Sequence, residues 1–471
     1  VPAIMVQGTT SSAGKSFLTA ALCRWFARTG VRVAPFKAQN MSNNARVVDG
    51  GEIGTAQYLQ AIAAGVVPDV RMNPVLLKPE THTSSQVIVN GIFDRELSTL
   101  PWRGRSHLLW PHAQRALHSL LSEYELVIIE GAGSPAEINL YDDDFVNMRT
   151  AHEASAPVLV VADIDRGGAF AHLFGTWALC NDADRAQIRG FILNKFRGDS
   201  SLLAPAPQLL AEMTGVPTLG VLPWLEHCLP DEDGASLGHM NLATDATTVG
   251  IVRYPTASNL DEFKPLEQIA KIVWVRNVEM LKGIDLIVLP GSKHVSSDLA
   301  WLRSTGIADK VVQLARTGTR VLGICGGLQM LGEQLVDEAG VDGDAVGLGP
   351  LPLVTVFKAV KRTAHVETRF ESLPDPWKSL SGIAFGGYEI RHGITTPNKP
   401  ISSALPMGLG YVQGSILAVY THGLFESPDV VRALFNGATK MTLDSTFEQL
   451  ADAINEHLDM SVISRLAGIA I

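Results

Sequence analysis

The sequence predicts an α/β protein of two doubly wound domains, each a parallel sheet with helices on both faces. Three observations predict it. Short apolar runs alternate with helix-period stretches along the chain. One polar stretch containing Pro and Gly breaks that rhythm near the middle. The length of 471 residues is about three times that of a typical domain.

Composition narrows the class. With 46% hydrophobic and 18% charged residues the chain can bury large cores and is not intrinsically disordered. The 38 basic residues stand against 48 acidic ones, net −10, which argues against a general nucleic-acid binder or a polybasic membrane binder. Anionic ligands must then be held by local devices. No apolar run reaches the roughly 18 residues needed to cross a bilayer, and no basic-then-apolar leader opens the sequence, so a cytoplasmic protein is expected. Cys23, Cys180, Cys228 and Cys325 fall in no CxxC spacing, which points to neither a disulfide framework nor a cysteine zinc site.

In chain order, strands are predicted at Ala3–Val6, Val31–Pro35, Leu126–Ile129, Val158–Ala162, Gly190–Leu193 and Thr218–Leu222. After the first, Leu18, Ala21, Leu22 and Trp25 recur at helical spacing, and Gly30 stops that helix. The polar stretch is read as a linker at 229–248, dividing a domain at 1–228 from one at 249–471. The second domain repeats the alternation with strands at Val249–Val252, Ile272–Val275, Leu286–Leu289 and Val321–Ile324, then Tyr411–Val412 and Ile416–Tyr420. No fixed-period repeat or low-complexity tract occurs.

Directly after the first strand stands Gly8-Thr9-Thr10-Ser11-Ser12-Ala13-Gly14-Lys15-Ser16, and a helix begins at once. This is a phosphate loop. Small residues let successive backbone N–H groups close on a polyphosphate, the helix N-terminus adds positive potential, and Lys15 neutralises the terminal oxygens. Ser16 would offer a hydroxyl to Mg²⁺. The spacing is a variant, with Thr9 at the usual first-glycine place and Gly8 one position further out. Glu130, ending its strand, is the favoured second metal ligand, and Asp49 and Glu52 compete for a third position. Lys37 ends the second strand at the same edge, where it could clamp a transferred phosphoryl group or a substrate carboxylate. Asp163 and Asp165 follow the next strand as metal-side, substrate-side or loop-capping groups.

In the second domain Gly323-Ile324-Cys325-Gly326-Gly327 closes one strand and opens a helix expected to carry Leu328, Leu331 and Leu335. A nucleophile elbow has this form, because the sharp turn tolerates only tiny flanking residues, and the positive end of the helix favours a thiolate. His422, at the end of the strand Ile416–Tyr420, is the candidate base. The turn Leu289-Pro290-Gly291-Ser292-Lys293 can aim the N–H of Gly291 at a carbonyl oxygen, forming an oxyanion hole with that of Gly326. Cys23, Cys180 and Cys228 lack such a setting and are read as structural.

A phosphate-loop domain followed by a Gly-x-Cys-x-Gly domain resembles the cobyric acid synthase family, glutamine-dependent amidotransferases of cobalamin biosynthesis, over nearly the whole chain. The specific segments are residues 36–42 (FKAQNMS), 51–57 (GEIGTAQ), 72–79 (MNPVLLKP), 130–140 (EGAGSPAEINL), 163–168 (DIDRGG), 194–199 (NKFRGD), 289–293 (LPGSK) and 386–390 (GGYEI). The N-terminal half, with its P-loop NTPase-like sheet, also resembles dethiobiotin synthetase. That likeness implies ATP and Mg²⁺, with Ser16, Glu130 and an acid near Glu52 on the metal, Lys15 and Lys37 on phosphate, and Asn194 reading the adenine edge. The C-terminal half resembles the class I glutamine amidotransferases, with Cys325 as nucleophile and His422 as base. Many of those enzymes place a Glu two positions after the histidine, where this chain has Leu424. Another group must orient His422. Residues 45–48 (ARVV) also depart from the more usual polar-aromatic stretch before Asp49, and Ser12 stands where an acidic residue is common.

The resemblance implies that glutamine supplies ammonia and that ATP phosphorylates corrinoid carboxylates. Adenosylcobyrinic acid a,c-diamide would be amidated at its b, d, e and g positions to adenosylcobyric acid, with a sheltered path for ammonia between the sites. Gln57, Asn73 and Lys78 are the candidate corrinoid contacts. Two rivals are the sister cobyrinic acid a,c-diamide synthase and a partitioning-type phosphate-loop switch ATPase. The second leaves Cys325 and His422 without a role.

Overall fold

The structure is a computed structural model that describes residues 2–80, 84–227, 229–230, 246–435, 437 and 441–470. Cys228 and most of the expected linker 229–248 lie outside them. The first domain is built on a six-stranded parallel sheet in the order Thr218–Pro223, Ile188–Phe196, Val158–Asp163, Ala3–Gly8, Leu126–Glu130, Val33–Phe36. Every strand expected in this half belongs to it. Strand order reverses beside Ala3–Gly8, and the register sets Val6 against Glu130 and Gly8 against Val161. The phosphate loop and Glu130 therefore leave the sheet at one carboxyl edge, where open α/β sheets form their crevice.

The helix Lys15–Arg28 buries Leu18, Ala21, Leu22, Trp25 and Phe26 on the sheet. Its outer flank is covered from an unexpected direction. The helices Leu443–His457 and Met460–Leu466 cross back from the end of the chain and pack Phe447, Leu450, Ile454 and Ile463 into the same core as Ile4, Val6 and Leu18. Arg24 Nε meets Glu448 Oε1 at 2.7 Å, Trp25 Nε1 donates to Asn455 Oδ1 at 3.0 Å, and the Asp459 N–H donates to the Leu219 carbonyl at 2.8 Å. The boundary expected to give 249–471 to one domain is thus corrected: the terminal helices belong with the nucleotide-binding half. An apolar helix face shows that a helix is half-buried but not which sheet it covers.

A second difference lies between the domains. Residues 39–94 form a small sheet, Gln39–Met41, Val75–Pro79, Ser85–Val89 and Ile92–Asp94, with a hairpin of Ala45–Val48 and Gly51–Gly54 beside it.

The second domain carries a seven-stranded sheet ordered Lys271–Val275, Thr248–Val252, Leu286–Leu289, Arg320–Ile324, Ile416–Val419, Gly410–Gln413, Ser402–Leu405. The first five run parallel and the last two antiparallel. A long unpredicted hairpin, Leu353–Arg369 with Ala384–Pro397, reaches to Ala45–Val48. Its middle is charged and partly exposed, so it lacks the apolar run that marks a buried strand. The helix after Cys325 is also shorter than expected. It spans Gly326–Leu331, and Leu335 lies in the strand Gln334–Val336. Among the described residues no helix is long and apolar enough to cross a membrane.

Candidate functional site

At the first sheet edge the loop from Gly8 runs into the helix that begins at Lys15. Gly14 has φ +110°, and a Cβ there would lie 2.0 Å from Asn194 Nδ2, so only glycine lets the loop close. Lys15 Nζ donates to the carbonyls of Thr10 at 3.0 Å and Gly133 at 3.3 Å. The Thr9 N–H donates to the Val161 carbonyl at 3.0 Å, and the buried Thr9 hydroxyl has no hydrogen-bond partner among the described residues. Ser16 Oγ and Lys37 Nζ both donate to Glu130 Oε1, each at 2.8 Å, and Gln60 Nε2 donates to Glu130 Oε2. Sequence reasoning missed Gln60, a polar residue on the buried face of Thr55–Ala63. Ser16 and Glu130 supply hard oxygens side by side at the helix N-terminus, a donor set that fits Mg²⁺.

Asn194 donates Nδ2 to the Ala13 carbonyl at 3.0 Å. Its amide braces the loop from the side of Gly14. Lys195 makes a second brace, donating to the Ser12 carbonyl at 2.8 Å and to Asp163 Oδ2 at 2.9 Å. Asp165 pairs with Arg197 at 3.0 Å.

Glu52 is not at this site. The hairpin turn carries it toward the second domain, where its buried carboxylate meets the ammoniums of Lys78 and Lys361. Burial opposes its charge, but Lys361, Lys78 and Lys293 outweigh burial and hold the carboxyl well below its usual range. Its carboxylate faces these lysines and not Ser16 or Glu130, and Asp49, the rival, is exposed. Gln57 and Asn73 are interior. Gln57 Oε1 accepts from Asn40 Nδ2 at 3.2 Å, and Asn73 bonds the backbone of Gly54, Lys37 and Val75. Both amides are buried and brace the domain interior, and Gln57 Nε2 has no hydrogen-bond partner among the described residues. Lys78 does line a cleft; burial pushes its ammonium down to about 8 against the pull of Glu52.

In the second domain Cys325 sits at φ +51°, ψ −102°, a conformation strained for any residue but glycine. A Cβ on Gly327 would lie 1.9 Å from the Leu289 carbonyl oxygen, which is why the turn is glycine-rich. A Cβ on Gly326 would lie 2.7 Å from the Ser292 backbone nitrogen and one on Gly291 2.9 Å from His422 Cε1, so both glycines pack tightly beside the Cys325–His422 pair. Cys325 and His422 line one cleft, and His422 Nδ1 lies 2.9 Å from Glu262 Oε1. The other oxygen, Oε2, accepts the Gly423 N–H at 3.1 Å. Glu262 is therefore the group that orients His422 in place of the glutamate replaced by Leu424, which is core. Its signal in the sequence is faint: an acidic pair, Asp261-Glu262, between apolar Leu260 and Phe263. Burial works against protonation of His422, yet Glu262 and Cys325 outweigh it and raise the imidazole to about 10. By contrast, burial raises the thiol of Cys180 to about 11.

The cleft at Cys325 and His422 is lined by Ser292 and Gln329 of its own domain and by Asn43, Lys78 and Gln86 of the other. Lys293 donates to Gln86 across it.

Residues 4–233 match the family described as the CobQ/CobB/MinD/ParA nucleotide binding domain, and residues 248–430 the CobB/CobQ-like glutamine amidotransferase domain. The second match ends before the terminal helices. The chain is 56% identical over 473 residues to the cobyric acid synthase of Variovorax paradoxus strain S110, covering 98% of each chain. It is 53% identical over 496 residues to that of Polaromonas sp. strain JS666, again covering 98% of each. Among solved structures, a crystal structure of a glutamine amidotransferase aligns at 23% identity and TM-score 0.32 over 43% of this chain and 98% of its own.

Proposed function

The chain belongs to the cobyric acid synthase family, and from that premise we propose that its two sites act in series on one amidation. The Cys325 sulfur attacks the side-chain amide carbon of glutamine. The N–H groups of Gly291 and Gly326 hold the oxyanion, and His422 gives its proton to the departing ammonia. Glu262, bonded to Nδ1, presents the other ring nitrogen to the sulfur and stabilises the imidazolium. Water then hydrolyses the glutamyl thioester and glutamate leaves.

At the phosphate loop Lys15 and the backbone N–H groups hold the polyphosphate of ATP, and Lys37 reaches the same edge. Ser16 and Glu130 would hold Mg²⁺, which supplies neutralisation of phosphate charge. A corrinoid carboxylate attacks the γ-phosphorus, ADP departs, and ammonia displaces phosphate from the acyl phosphate to form the amide. The acceptor is adenosylcobyrinic acid a,c-diamide and the amides form at its b, d, e and g carboxylates.

One observation carries this reading. The strained thiol with its His422–Glu262 pair opens onto a cleft whose far wall is the nucleotide-binding domain. Incubation with ATP, glutamine and each corrinoid tests it by the mass of the product. Successive amide additions to the a,c-diamide are expected, and additions confined to the unamidated corrinoid would overturn it in favour of the sister enzyme.

A further inference from the structure

Arg46 belongs to the nucleotide-binding half, in the strand Ala45–Val48, yet its guanidinium is buried against the other domain. Each of its contacts there is one step from His422. Its Nη2 lies 2.7 Å from Oδ2 of Asp261, the neighbour of Glu262, and the Asp261 side chain is fully buried. Its Nη1 pairs with Glu426, in the turn that follows His422 and Gly423. Its Cζ stands 5.0 Å from the centroid of the Tyr388 ring. That ring stacks on the imidazole of His422 at 5.3 Å with the planes 21° apart, and the two residues exchange backbone hydrogen bonds at 2.9 and 3.1 Å.

We propose that Arg46 is a positioning residue through which the nucleotide-binding domain holds His422 and Glu262 in register with Cys325. The inference rests on the glutaminase role proposed above. A guanidinium suits this task because its planar fork can engage two carboxylates while its face lies on an aromatic ring. Each contact fixes a different coordinate of the catalytic pair: Asp261 the segment carrying Glu262, Glu426 the turn after His422, and Tyr388 the plane of the imidazole. Arg46 does not line the cleft at Cys325, so it acts on the pair and not on glutamine. The strand Ala45–Val48 pairs with Gly51–Gly54, which leads straight into the helix carrying Gln60 to Glu130. The arginine therefore ties the thiol site to the element that touches the phosphate-loop carboxylate.

The test compares Arg46→Met and Arg46→Lys in the full chain. Arg46→Met leaves Asp261 buried without its cation, and glutamine hydrolysis is expected to lose about tenfold to a hundredfold in kcat with KM changed less than about twofold. Arg46→Lys keeps the charge but not the fork, and recovers part of the loss. Amide formation from free ammonia at high pH, which bypasses the thiol, stays near the wild-type rate and reports an intact nucleotide-binding domain. An unchanged glutaminase kcat in Arg46→Met overturns the proposal, as does a parallel fall of glutaminase and ammonia-supported synthesis. Absence of glutamine hydrolysis in the wild-type chain would instead sink the glutaminase role itself.

Discussion

The two sites are built in opposite ways. The phosphate site is local: from Gly8 to Ser16 one strand, one loop and one helix end supply its donors, and the parallel register delivers Glu130 and Lys37 to the same edge. The thiol site is assembled from distant segments, with Cys325, His422, Glu262 and Tyr388 on separate elements and Arg46 from the other domain. Backbone N–H groups that cradle an anion must be consecutive, so their site is written consecutively. A proton-relay partner needs only a carboxylate oxygen at hydrogen-bond distance, which any segment can bring.

If the two regions are chemically independent, their knockouts should be mirror images. Cys325→Ala is expected to lower glutamine hydrolysis by at least about a thousandfold while free ammonia at high pH still supports amide formation. Lys15→Ala should do the reverse, lowering amide formation from either nitrogen source by about a hundredfold or more with glutaminase within about twofold of wild type. Glutamate release and product mass, followed in the same samples, check both. Loss of the ammonia-supported reaction in folded Cys325→Ala protein would break the separation.

The next comparison concerns the long-range partner. Glu262→Gln keeps the shape of the side chain but removes the charge that holds His422, and kcat for glutamine hydrolysis should fall by about a hundredfold. The imidazole is raised to about 10 in the fold, so the alkaline limb of the glutaminase pH profile should lie near that value. In the variant it should move toward the ordinary histidine value of about 6.5. The sign for stability follows: a raised folded value means the bound proton stabilises fully below about 6.5 and progressively less as pH rises through the folded value. Unfolding midpoints across that range should slope downward in the wild type and flatten in Glu262→Gln.

The smallest effect on activity concerns the returning helix. Leu450 is fully buried in the core shared with Leu18 and Val6. Leu450→Ala should cost about 2 to 5 kcal/mol, and calorimetry should place the loss in the transition of the nucleotide-binding domain, with glutaminase at 25 °C unchanged. A loss confined to the amidotransferase transition would return that helix to the second domain.

Both sheets, the phosphate loop and the cysteine elbow were legible because each depends on neighbours in sequence: apolar runs between helical stretches, Gly14 before Lys15, and tiny residues around Cys325. The burial of Gln57 and Asn73 was not legible, because a buried amide bracing backbone and an amide facing a substrate look alike in sequence. The place of Glu52 was not legible, because the hairpin pairing that carries it to Lys78 and Lys361 is set in space. The charged hairpin Leu353–Arg369 with Ala384–Pro397 carried no apolar run to announce it.

By itself the sequence determined the phosphate-loop turn and the glycine-flanked cysteine turn, because backbone conformation over a few residues decides both. Tertiary structure alone decided that Glu262 stands behind His422, that Arg46 reaches across the domains to them, and that the last helices close the first domain. Those choices are made by contacts between side chains far apart along the chain, and the strength of such contacts depends on distance and burial in space, quantities that residue order does not contain.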